Sequence, residues 1–132
     1  MVLLPEIRRE DQPVQRRQVH QVQRRFRLTN SNDFKRVRRF GKSYAHPLLV
    51  LIAQKNELGA SRFAVSAGRS VGNAVCRNRA KRLLREGLRP LITRIEPGWD
   101  IVLLARQPMA ETTYQQVQDA LRKLLQRANL LS

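Results

Sequence analysis

A chain of 132 residues with 26 Lys and Arg against 10 Asp and Glu has a formal charge of +16 and a length suited to one domain around one core. Charge of that sign favours nucleic acid or an anionic membrane surface, yet no apolar run approaches the roughly 20 residues that span a bilayer. The start, MVLLPEIRRED, breaks at Pro5 and turns charged before a secretory segment can form, so a cytoplasmic protein is expected, with no membrane and no obligate protein partner.

Residues 1–24 are rich in Gln and Arg, and Val14, Val19 and Val22 build no helical stripe. They read as a flexible basic arm ahead of a domain at 25–132. The stretch NSNDFKRVRRF, Asn30 to Phe40, reads as a short helix. Asn30 or Ser31 can cap it, Asp33 suits its first turn and Gly41 the position past its end. Phe34 and Val37 share a side, with Phe40 drifting off it, among Lys35, Arg36, Arg38 and Arg39. SYAHPLLVLIAQ, Ser43 to Gln54, reads as one strand and RFAVS, Arg62 to Ser66, as a second. The loop between them, with Asn56 and Gly59, predicts an antiparallel hairpin.

Next comes Arg69 to Arg89, with seven basic residues and one acid, Glu86. Gly72 and Asn73 mark a helix start, and a helix follows from about Ala74. At about 100° per residue, Cys76, Ala80, Leu83, Leu84, Gly87, Leu88 and Leu91 fall on one side. Asn78, Arg79, Lys81, Arg82, Arg85 and Arg89 fall on the other. Cys76, the lone cysteine, reads as a small core residue. A charge run on an average helix is a solvated face. Here Lys81, Arg85 and Arg89 stand at i, i+4 and i+8, where like charges cost roughly 0.2–0.5 kcal/mol per pair, and a polyanion would relieve the repulsion.

TRIEPGW then carries a Pro97-Gly98 turn, and DIVLLA, Asp100 to Ala105, is apolar on both faces, as a central buried strand is. Thr112 or Thr113 caps a last helix whose packing side holds Tyr114, Val117, Ala120, Leu121, Leu124 and Leu125. The order αββαβα predicts a two-layer α/β sandwich.

The segment SAGRSVGNAVCRNRAKRLLRE, Ser66 to Glu86, resembles the signature of the protein subunit of bacterial ribonuclease P. Its hallmark is an Arg-Asn-Arg run in a basic helix, here Arg77, Asn78 and Arg79, and the similarity extends from about Arg25 to Leu125. The resemblance implies an α+β, ribosomal-protein-S5-like fold with a left-handed crossover about the basic helix, against the usual right-handed rule. It further implies that the helix grips a catalytic RNA through Arg69, Asn73, Arg77, Asn78, Arg79, Lys81, Arg82, Arg85 and Arg89. A cleft beside the first helix, with Phe34, Lys35 and Arg38, would hold the 5′ leader of precursor tRNA. Many family members place a second aromatic where this chain has Arg38, and Lys-Lys where it has Arg69-Ser70.

The residues by themselves supply no hydrolytic machinery. The ten acids are scattered, Asp33 and Asp100 read as cap and strand-start residues, and His20 and His46 lack partners at catalytic or metal-ligand spacing. The resemblance implies that the RNA subunit performs a divalent-metal-dependent (Mg) hydrolysis, with no cofactor bound by the protein alone. The alternative is a ribosomal or other structured-RNA-binding protein without a role in cleavage. A DNA reader would show a helix-turn-helix or a dimer seam, and a membrane-surface module would carry large apolar residues on its exposed helix, whereas Trp99 sits at a turn.

Overall fold

The computed structural model describes residues 27–131, so the arm expected at 1–24 lies outside the described residues. Four strands form one sheet: β1 (Lys42–Ala45), β2 (Leu49–Lys55), β3 (Arg62–Ala67) and β4 (Trp99–Ala105), in the order β1-β2-β4-β3. Among the described residues three helices accompany them: α1 (Ser31–Phe40), α2 (Ala74–Leu88) and α3 (Tyr114–Arg127). Short 3-10 turns at Arg69–Val71, Arg89–Arg94 and Gln107–Glu111 join the elements.

Alternation along the strands assigns each face of the sheet. Leu49, Leu51, Phe63, Ile101 and Leu103 point to one side and pack with Leu84 and Leu88 of α2 and Val117, Leu121 and Leu124 of α3. Gly87 lets the two helices close, since a Cβ there would meet Leu121 Cδ1 at 3.1 Å and Val117 Cγ1 at 3.3 Å. On the other side Ile52 and Val102 are buried with Leu28 and with Val37 of α1. The α2–α3 layer against the sheet is the two-layer core, and α1 is added to the sheet's second face.

Two expectations about the sheet are overturned. Ser43 to Gln54 is not one strand. His46 and Leu49 exchange backbone bonds of 2.9 and 3.2 Å, and His46 Nδ1 accepts from Leu48 N at 3.1 Å, so the chain turns at His46-Pro47-Leu48 and β1 folds back on β2. Proline has no N–H to donate to a ladder, which makes Pro47 a natural break. Nor do the second and third strands form a hairpin. β4 lies between them, antiparallel to β2 with Leu51 opposite Leu103, and parallel to β3 with Phe63 opposite Ile101. A strand apolar on both faces is the one that burial favours at the centre, and it takes a partner from each neighbour. The loop 56–61 closes over the Pro97-Gly98 turn instead: Asn56 N donates to Gly98 O at 2.7 Å and Ser61 Oγ to Glu96 O at 2.7 Å.

The helix termini follow the sequence. Asn30 Oδ1 accepts from Asn32 N, Asn73 Oδ1 from Cys76 N at 2.9 Å, and Thr113 with Gln116 forms a capping box on α3. Three side chains depart from expectation. Cys76 is half-buried at the first turn of α2, against Gly72, and does not reach the core. Tyr114 is exposed and donates from its hydroxyl to Glu86 O at 3.4 Å. Thr112, not a cap, is buried and donates to Gln116 Oε1 at 2.7 Å.

Candidate nucleic-acid interface

α2 begins at Asn73, whose side chain is used to cap the helix, and its apolar stripe of Ala80, Leu83, Leu84, Gly87 and Leu88 faces the sheet and α3. Burying that stripe turns the cations outward. Asn78, Arg79, Arg82 and Arg89 are exposed, Arg69 is exposed on the preceding 3-10 turn, and Lys81, Arg77 and Arg85 are half-buried. Arg89 stands just past the end of α2, at its C-cap, so the cationic strip continues into the 3-10 turn.

Within the strip the residues differ. Arg79 donates to Thr112 O at 3.1 Å, which ties the helix to the start of α3. Arg77 Nε is buried without a hydrogen-bond partner among the described residues, a donor whose satisfaction requires an added acceptor. Arg85 is turned toward a pocket of about 200 Å³ with Arg27, Thr29 and Phe63. Burial, and then the field of Arg27, hold the Arg85 guanidinium below its ordinary pKa. An anion beside it would offset both effects.

The second candidate region is the α1 face of the sheet. α1 rests on one end only, where Arg36 reaches Gln54 and Asp100, and Asp33 lies 3.5 Å from Arg62. Beyond it Val50, Ala64 and Leu104 are half-buried, an apolar floor that no helix of the described residues covers. Phe34 is half-buried at the margin of this floor, packed against the cluster of Leu28, Val37, Ile52 and Val102. Lys35 and Arg38 are exposed on α1. Aromatic surface, apolar floor and cations together suit an unstacked polynucleotide strand.

Sequence reasoning missed what holds α1 in place. Asp100 is fully buried and accepts from four donors: Arg62 Nε at 3.0 Å, Arg62 Nη2 at 2.9 Å, Asn56 Nδ2 at 2.8 Å and Arg36 Nη2 at 2.6 Å. Burial by itself would push the carboxyl up, but the bonds from Arg62, Asn56 and Arg36 outweigh it and hold the group below the usual carboxylate range. Asp33 adds a second carboxylate, 3.3 Å from Arg36. The two acids read as isolated in the chain therefore share two arginines. The available signal was a charged residue at the head of an otherwise apolar strand, which names no partner.

Among the described residues no helix is long and apolar enough to cross a membrane, and no three His, Cys, Asp or Glu side chains are grouped to hold a metal ion.

The family model described as Ribonuclease P matches residues 22–129. The ribonuclease P protein component of Herpetosiphon aurantiacus is 39% identical over 109 residues, covering 83% of this chain and 89% of that protein. Its counterpart in Roseiflexus sp. is 40% identical over 111 residues, covering 83% and 91%. Among solved structures, the Staphylococcus aureus RNase P protein superposes with a TM-score of 0.73 at 32% identity, covering 81% of this chain and 98% of that one. The Thermotoga maritima RNase P protein gives 0.69 at 32% identity, covering 76% and 96%. The chain thus belongs to the ribonuclease P protein family, the protein component of the ribonucleoprotein that matures the 5′ end of tRNA.

Proposed function

We propose that the protein uses two surfaces in that role. The outer face of α2 and its flanks (Arg69, Asn73, Arg77, Asn78, Arg79, Lys81, Arg82, Arg85 and Arg89) binds the catalytic RNA. The half-buried apolar floor beside α1, with Phe34, Lys35 and Arg38, takes the 5′ leader of precursor tRNA. Hydrolysis belongs to the RNA with its divalent metal, Mg²⁺, and the complex works in the cytoplasm, where tRNA precursors are processed.

The observation that carries this reading is the sorting of charge on α2: one face is fully apolar, and on the other Glu86 is the single acid among the cations. Arginine suits the task because its planar fork binds phosphate through two donors and also stacks on bases. The floor supports the leader assignment on separate grounds. Base stacking on an aromatic tolerates any sequence, as a surface meeting many different leaders requires. Since Arg38 stands where many family members have a second aromatic, charge supplies more of the leader contact in this chain.

The decisive experiment is reconstitution. RNA-free protein is expected to leave precursor tRNA intact with Mg²⁺ present, and addition of the catalytic RNA to start cleavage at the leader junction. Turnover by the protein alone would overturn the division of labour. Equal affinity of the assembled enzyme for leader-bearing and mature tRNA would overturn the cleft.

A further inference from the structure

A second cationic surface lies at the β1 edge of the sheet, the edge opposite β3, and α2 is not part of it. Tyr44 of β1 has Lys42 Nζ 5.6 Å and Arg127 Cζ 6.0 Å from its ring centroid, both within cation–π range. Arg127 Nη1 donates to Ala45 O at 2.9 Å, and Arg106 Nη1 donates to His46 O at 3.3 Å. Lys123 of α3 lines the same groove as His46.

Two features distinguish this group from an ordinary solvated face. First, Arg106 and Arg127 are anchored by backbone carbonyls. Each guanidinium has five N–H donors, and the described bond occupies one, so both present fixed forks with capacity left for phosphate oxygens. Second, the cations converge, since Lys123 and Arg127 both lie close enough to act on His46. Burial, and then the fields of Lys123 and Arg127, hold His46 below its ordinary pKa, as expected where positive potential accumulates. Glu111 and Asp119 line the same groove as His46 and Lys123, with Asp119 one helical turn from Lys123 and 3.5 Å from Arg122.

We propose that Lys42, Tyr44, His46, Arg106, Lys123 and Arg127 form a second docking surface for RNA, and that its occupant is the phosphate backbone of a base-paired segment of the catalytic RNA. The protein then holds two separate segments of that RNA, one on α2 and one at the far sheet edge. Duplex is favoured over single strand because the Tyr44 ring is already engaged by Lys42 and Arg127 and is not free to stack on bases. The leader floor is on the other face of the sheet, so the two sites do not compete.

Hydroxyl-radical footprinting of the catalytic RNA with full-length protein, with and without precursor tRNA, tests the proposal. The wild type is expected to protect two separate tracts. Lys42→Ala with Lys123→Ala, both exposed positions, is expected to lose one tract, keep the other, and reduce the slope of log affinity against log salt by about 1.8. Arg79→Ala with Arg82→Ala is expected to give the complementary loss, and that variant also tests the α2 assignment independently. In NMR titrations of the wild type, the His46 pKa is expected to rise when the RNA is added. An unchanged footprint and salt slope in the Lys42/Lys123 variant overturns the proposal, as does a tract that appears only when precursor tRNA is present. Circular dichroism melting at the wild-type temperature shows that the variant is folded.

Discussion

The Arg36 guanidinium on α1 donates to the Asp100 carboxylate at 2.6 Å, although the two residues stand 64 positions apart in the chain. The contact joins the first described helix to the central strand. With Arg62 and Asn56 on the same carboxylate, it holds α1 to that end of the sheet.

Replacing Asp100 by Asn keeps the shape and removes the buried charge, leaving Arg36 and Arg62 with the part-exposed Asp33 as their remaining shared carboxylate. Breaking a buried ion pair on one side costs about 3–5 kcal/mol, and because Arg36 and Arg62 are partly exposed the lower end applies. The pH dependence follows from the depressed carboxyl. Its stabilisation is fully present above the unfolded value of about 4 and is lost as pH falls through the lower folded value. Urea unfolding of both proteins is therefore expected to show a gap that is wide at pH 7 and narrows below about pH 4. A gap that stays constant with pH would mean the carboxylate charge is not what stabilises the cluster.

Phe34 is half-buried, so truncation is expected to remove part of a core contact and part of a binding surface. Full burial would make Phe34→Ala cost about 3–5 kcal/mol, and half of that, about 2 kcal/mol, is expected here. The assembled enzyme is expected to lose a further 1–3 kcal/mol or so in affinity for leader-bearing tRNA and none for mature tRNA. Equal losses for the two RNAs would assign Phe34 to packing alone.

Arg79→Ala together with Arg82→Ala removes two exposed like charges from α2, and the helix is expected to keep its melting temperature, apart from the Arg79 bond to Thr112 O, worth about 1 kcal/mol. Affinity for the catalytic RNA is expected to fall and its log–log salt dependence to flatten by roughly 1.4–1.8 for two phosphate contacts. Wild-type affinity at every salt concentration would remove this face from the interface.

Gly41 stands where α1 turns into β1, with φ −73°, an angle open to any residue. What the site lacks is room: a Cβ would lie 2.5 Å from Val37 O and 2.7 Å from Ile52 Cγ2. Gly41→Ala is expected to cost about 1–3 kcal/mol by pushing α1 off the sheet, and to weaken leader binding along with stability. A neutral effect on both would show that the α1–β1 corner relaxes freely.

Local pattern determined much of this protein directly. The caps at Asn30, Asn73 and Thr113, the apolar stripes of α2 and α3 and the central position of β4 follow from side chains within a few residues of one another, and so does the cationic sorting along α2. Such features depend on helix and strand periodicity, which a linear sequence displays. Tertiary structure alone decided which strands are neighbours, because pairing is settled by competition for a central partner: β4 displaced the hairpin that the Lys55–Arg62 connection suggested. It also decided that Asp100 is the acceptor for Arg36, Arg62 and Asn56, and that Lys42, Tyr44 and Arg127 meet at one edge. A charged side chain in a sequence states its sign but not its counterpart. Coulomb attraction and desolvation act over a few ångströms of space, and only the folded chain brings positions 36, 62 and 100 within that distance.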